Sequence, residues 1–142
     1  MIHVQLVMPA NIQWGVDLAK PLLDKGLVRQ KATGKYPLAW CCNEISEGRA
    51  QLWLVWKDTK LTAAVMTTIN HYPSGQKYME VFLMGGWKMA LWAEKALDSV
   101  LQYARLVGCQ VCAAGGRLGW NRIAKKYGDK VKTDSLVAID LT

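Results

Sequence analysis

The chain has 142 residues, 51% of them hydrophobic and 20% charged, and carries a formal net charge of +7. That length suits one domain (residues 1–142) with a real apolar core, and the balance of apolar and charged residues excludes wholesale disorder. No apolar run approaches the roughly 20 residues that span a bilayer as a helix, and the first nine residues lack a basic leader and a small-residue cleavage site, so the expectation is a soluble protein with no membrane segment and no secretory signal.

Residues 4–8 read as a first strand, stopped by Pro9. Asn11 is placed to cap a helix running to residue 25, with Trp14, Leu18 and Leu22 as its apolar stripe. Pro21 introduces a kink or a new turn, and Gly26 suits a C-cap. A basic loop over 29–35 follows, and Pro37 opens a short helix over 38–46. Three strands come next, over 51–56, 61–72 and 78–83, rich in aromatic and β-branched residues. The Pro73-Ser74-Gly75-Gln76 turn separates the last two, and Gly85-Gly86 ends the third. Residues 89–107 form the strongest helix, with Met89, Ala93, Ala96, Leu97, Val100, Leu101 and Ala104 facing inward and Gly108 as its stop. A short buried strand over 109–113, a basic helix over 120–127 and a final strand over 131–141 complete the chain. An antiparallel meander leading into a βαβ unit predicts an α+β fold: a mixed, mostly antiparallel sheet of about six strands with helices on its faces.

Four cysteines occur, at 41, 42, 109 and 112. The CxxC spacing of Cys109 and Cys112 lies in the predicted strand, where residues three apart point to opposite faces and cannot grip one metal. The expectation is four reduced structural thiols and no bound metal. The positive charge is concentrated late: Arg117, Arg122, Lys125, Lys126, Lys130 and Lys132 are opposed only by Asp129 between residues 115 and 132. Such a stretch serves equally as a solvated helix face or as a contact for a phosphorylated ligand, a nucleic acid or an acidic protein. Of the seven tryptophans, Trp53 and Trp56 are three apart on a strand and so face opposite ways.

The element order resembles the GNAT fold of N-acetyltransferases over essentially the whole chain. The stretch Gly115-Gly116-Arg117-Leu118-Gly119-Trp120-Asn121-Arg122, preceded by residues 103–109, is similar to small GNAT-like proteins encoded by tailed bacteriophages and prophages. The resemblance implies an acetyl-CoA site where the fourth strand meets the long helix: Leu83, Met84, Gly85, Gly86, Trp87 and Lys88, joined by Asn121 and Arg122 of the last helix. A helix N-terminus reached through glycines offers backbone donors to a pyrophosphate.

The family's Q/R-x-x-G-x-G/A loop is incomplete here. The leading Gln or Arg is missing, the glycines are adjacent, and Trp87 stands where a small residue belongs. In this reading the two glycines end the strand and Trp87 fills the core beside it. Glu80 lies on the fourth strand where some members carry a general base, on one face with Tyr78 and Phe82; the competing and favoured expectation is a Glu that faces solvent or pairs with Lys77. Tyr127 is the candidate for the acid that protonates the leaving thiolate, one residue out of register from Asn121.

A degenerate site makes the leading expectation a phage-type GNAT-like protein without chemistry. It would serve as a virion or assembly component or contact a host protein or a second copy of itself, in the host cytoplasm or in the particle. The alternative is an acetyl-CoA-dependent N-acyltransferase. Nucleic-acid binding through the basic C-terminal stretch ranks last.

Overall fold

The computed structural model describes residues 1–30, 33–115, 131–133 and 136–142. The element order is β1 (Ile2–Leu6), a single 3₁₀ turn (Pro9–Asn11), α1 (Ile12–Arg29), α2 (Leu38–Ser46), β2 (Ala50–Lys57), β3 (Lys60–His71), β4 (Lys77–Gly86), α3 (Met89–Leu106), β5 (Val111–Gly115), β6 (Val131–Thr133) and β7 (Leu136–Asp140). The strands form one sheet in the order β1-β2-β3-β4-β5-β7-β6. Every pairing among them is antiparallel except β4 with β5, the two strands joined through α3. The final strand expected over 131–141 is two strands, which pair with each other from Val131↔Ile139 to Thr133↔Val137 and bring the sheet to seven strands. The helix expected over 120–127 lies outside the described residues.

Strand alternation sends apolar side chains to both faces, so the sheet carries a core on each side. On one face α3 buries Trp92, Ala93, Ala96, Leu97, Val100, Leu101 and Ala104 against Trp53, Val55, Val65, Met79, Val81 and Cys112. On the other, α1 and α2 bury Val16, Ala19, Leu23, Leu27, Cys41 and Ile45 against Leu52, Leu54, Met66 and Leu83. Trp53 and Trp56 do face opposite ways, Trp53 into the first core and Trp56 against the second. α3 ends as its sequence demands: Gly108 adopts φ +85°, Gly108 N–H donates to Arg105 O, and Cys109 N–H donates to Ala104 O. These two bonds form a Schellman motif, which needs a residue free to enter the left-handed region.

α1 departs from its predicted stripe. Trp14 and Leu18 are exposed, and the buried side is instead Gly15, Val16, Ala19, Leu22, Leu23, Gly26 and Leu27. The helix continues through Pro21 and past Gly26, which is not a cap. Small residues win because α1 lies with its backbone almost on β4: a Cβ on Gly26 would collide with Met84 O, and one on Gly85 with Leu22 O. Burial of a wide tryptophan would hold the two elements apart.

The cysteine geometry also differs from the expectation. β5 begins at Val111, so Cys109 lies in the turn after α3, and both Cys109 and Cys112 enter the same apolar core. All four thiols are buried and none is in a disulfide. Burial pushes Cys41 up to about 11 and Cys112 up to about 12, which keeps both as neutral thiols.

Candidate active site

β4 and β5 pair in parallel from Tyr78↔Val111 to Val81↔Ala114 and then part. β5 stays with β7 as far as Gly115↔Leu136, whereas β4 follows β3 to Ala63↔Gly86. From Phe82 to Gly86, therefore, the β5-facing edge of β4 has no strand partner among the described residues. The separation coincides with a bulge. Met66 opposes Leu83 and the next residue, Thr67, opposes Val81, so Phe82 is the extra residue on β4. Bulges bend a strand and re-aim its side chains. Here Val81 enters the α3-side core, Phe82 and Leu83 both turn towards α1 and α2, and Met84 returns to the α3 side. Two parallel strands that diverge leave backbone N–H and C=O groups that no longer pair with each other.

The end of that edge is the start of α3, where the sequence-predicted residues Leu83, Met84, Gly85, Gly86, Trp87 and Lys88 do come together. The two glycines are not an open cradle. They belong to β4, and a Cβ on Gly86 would meet Ala63 and Thr62 O, as one on Gly85 would meet α1. They are glycine because the backbones on both sides approach too closely for a side chain. Trp87 does not fill the core: it is 57% exposed, and Lys25 Nζ lies 2.8 Å from the centroid of its ring. Room beside β4 is taken by α1, so the indole turns outward and stacks beneath a cation instead. Trp87 N–H donates to Thr62 O at 3.0 Å, a carbonyl projected by the β3 bulge, where Thr62 is the extra residue opposite Val55 and Trp56. Trp92, missing from the predicted inner face of α3, is 2% exposed and donates its indole N–H to Trp87 O at 2.7 Å.

Three cations converge at this helix start. Lys88 caps α3 in the left-handed region, Arg29 Nη2 lies 3.5 Å from Gly86 O, and Lys25 covers Trp87. Partial desolvation, with the Arg29 charge second, holds the Lys25 amine below its ordinary value. Such a group gains from an arriving anion. The basic run from residue 29 was visible in the sequence, but its meeting with Lys88 follows from α1 packing along β4.

Glu80 lies one pair before the strands part, opposite Thr68 on β3 and Ala113 on β5. It is half-buried, and desolvation raises its carboxyl above the usual range. Its charge in turn helps raise the Tyr78 phenol, after the larger effect of burial. Since Met79 and Val81 enter the α3-side core, Glu80 faces the opposite side, with Tyr78 and Phe82 as the alternation predicted.

Residues that the sequence did not single out complete this face. Asn70 Nδ2 donates to Thr68 Oγ1 at 2.9 Å, and Tyr78 stacks on Tyr72 with ring centroids 4.2 Å apart. On the other side of Glu80, Tyr36 meets Phe82 edge-on at 4.8 Å and Trp40 at 5.3 Å, and Trp40 lies 5.9 Å from Phe82. Tyr36 and Trp40 reach Phe82 only because α2 folds back over the sheet, a contact with no local signal in the sequence. Asn121, Arg122 and Tyr127 lie outside the described residues. His71 is exposed at the end of β3. Among the described residues no cluster of His, Cys, Asp and Glu is set to hold a metal.

The chain matches no protein-family model and no curated protein. Its backbone is similar to that of solved acetyltransferases. A predicted acetyltransferase from Clostridium acetobutylicum, solved with acetyl-CoA, superposes with a TM-score of 0.62 at 14% identity, over 94% of this chain and 92% of that one. A GNAT family acetyltransferase from Brucella melitensis in complex with acetyl-CoA gives 0.68 at 11% identity, over 100% and 89%. The PaiA N-acetyltransferase of Thermoplasma acidophilum in complex with coenzyme A gives 0.61 at 14% identity, over 99% of each. The fold is the GNAT fold. At such identities the likeness is one of backbone, and within the GNAT frame the chemistry of this chain rests on its own side chains.

Proposed function

We propose that the chain binds an acyl-CoA thioester in the opening between β4 and β5 and transfers its acyl group to an amine. The observation that carries this reading is the coincidence of the Phe82 bulge with the end of β4–β5 pairing, beside a half-buried carboxylate. The residues present fit such a ligand in two respects. The unpaired edge of β4 suits an extended pantetheine arm, and Lys25, Arg29 and Lys88 suit its phosphates. They do not fit the glycine cradle that the resemblance implied. The anion is held here by side-chain charge and the first turn of α3 rather than by glycine amides. When bound, the thioester supplies the activated acyl group, its C–S bond breaking as the C–N bond forms and CoA leaving as a thiolate that is protonated by solvent. Glu80 receives the proton that the acceptor amine gives up, and its raised pKa brings it nearer to the range in which a carboxylate is an effective base. Thr68, Asn70 and the Tyr72–Tyr78 stack fix where the amine stands relative to that carboxylate. That several backbone relatives were solved with acetyl-CoA or CoA supports the reading.

Calorimetric titration with acetyl-CoA tests it. Binding is expected, weakened by added salt and by Lys25→Ala or Lys88→Ala. Absence of both heat and thermal shift at millimolar acetyl-CoA would overturn it.

A second reading has its own support. Trp87 N–H is engaged by Thr62 O and the glycines are consumed by packing, as in a GNAT-shaped protein whose site has fallen silent. Such a protein serves as a binding or assembly component of the phage type that residues 115–122 resemble. Self-association and copurification with particle proteins, without acetyl-CoA binding, would favour it.

A further inference from the structure

We infer that the acceptor is an amine with a single positive charge on an aromatic or bulky apolar body, seated with its ammonium on Glu80 and its body on the Tyr36–Trp40–Phe82 wall. The inference rests on the acyltransferase reading for the transfer step, but the binding site it describes stands by itself.

Glu80 and Phe82 are two residues apart on the same face of β4, a Cα separation of roughly 7 Å along the strand. Tyr36 and Trp40 leave 37% and 40% of their surface exposed while touching Phe82, so the wall presents ring faces to solvent beside a desolvated carboxylate. Aromatic faces attract both a cation and another ring, and neither is satisfied by water. At the opposite end of Glu80 the stacked Tyr72 and Tyr78 close the site.

The net charge of the chain weighs against a polycation. The side chains that share the face around Glu80 on β3, β4 and β5 are Thr68, Asn70, Tyr78, Phe82, Val111 and Ala113, and the next strand, β7, carries Asp140 on the same face, opposite Val111. Glu44 on α2 is bound to Arg49 at 2.6 Å, and Glu94 and Asp98 belong to α3 on the far side of the sheet. With a chain charge of +7, a polyamine would meet more repulsion than an amine with one charge.

The test compares phenethylamine with spermidine. Acyl transfer from acetyl-CoA is followed by thiol release, and binding of each amine to the free protein by ring-current shifts and tryptophan fluorescence. Phenethylamine is expected to bind without acetyl-CoA and to exceed spermidine at least tenfold in kcat/KM. Trp40→Ala is expected to raise KM for phenethylamine at least tenfold with kcat little changed, and Trp40→Phe to restore most of the loss, which a merely structural role for the indole would not produce. A preference for spermidine, or an unchanged KM in Trp40→Ala, overturns the inference. Phenethylamine that binds at Trp40 with no transfer to any amine overturns the acyltransferase reading and leaves the amine site standing. Failure of phenethylamine to bind overturns the site whatever the acetyl-CoA titration shows.

Discussion

In the proposed reaction Glu80 is the base, and its burial has consequences in two measurements. Desolvation disfavours the charged carboxylate, so the folded-state pKa lies above the unfolded one. Stability from this group is fully present below the ordinary carboxylate range and is lost as pH rises through the raised value. Glu80→Gln should therefore melt higher than the parent at about pH 8 and match it at about pH 4, read by calorimetry across pH. The same substitution should lower kcat roughly 100-fold and abolish the acidic limb of the pH–rate profile, because the base is gone. The thiols titrate in the same sense but far from neutrality. With Cys41 at about 11 and Cys112 at about 12, all four buried cysteines should resist iodoacetamide in the native state and react fully once the chain is unfolded. Fast labelling of Cys41 or Cys112 in native protein would contradict the burial on which their neutrality rests.

Two contacts between elements hold the helices to the sheet. α1 lies against β4 through Gly26 and Gly85, where no side chain fits. Gly85→Ala should cost about 2–4 kcal/mol in denaturant unfolding, because the clash is with backbone that cannot swing aside. Gly34→Ala is the control, since a Cβ there meets nothing. Gly86→Val is a poor probe of ligand binding for the same reason: it strikes Ala63 and Thr62 and damages the β3–β4 pairing itself. α3 is held by its inner face. Leu97, 3% exposed, replaced by Asp should cost about 3–5 kcal/mol by burying a charge without a partner. A variant melting like the parent would show that α3 does not cover the sheet.

For the molecule as a whole, ligand binding and stability are linked. Acetyl-CoA at about 100 times its dissociation constant should add about 2.7 kcal/mol to unfolding, a shift of roughly 5–10 °C for a chain of this size. High salt should shrink the shift by weakening the contribution of Lys25, Arg29 and Lys88 more than that of the apolar cleft. A shift unaffected by salt would place the ligand elsewhere.

Sequence periodicity determined what depends on neighbours along the chain. α2 occupies 38–46 as predicted, α3 begins at Met89 and stops at Gly108, and the three central strands fall where aromatic and β-branched residues alternate. Glu80 was legible for the same reason: it is a lone acid in an apolar strand, on the face that alternation assigns it. Only the tertiary structure decided the rest. The inward face of α1 was chosen by how closely a helix backbone can approach β4: Leu22 of the predicted stripe is buried, whereas Trp14 and Leu18 gave way to a face built around Gly15, Ala19 and Gly26. Trp87 was turned outward because α1 already filled the space beside it. The Phe82 bulge, the parting of β4 from β5 and the meeting of Tyr36, Trp40 and Phe82 are products of pairing register and helix placement. Register is set between strands distant in sequence, which no local pattern along one strand encodes.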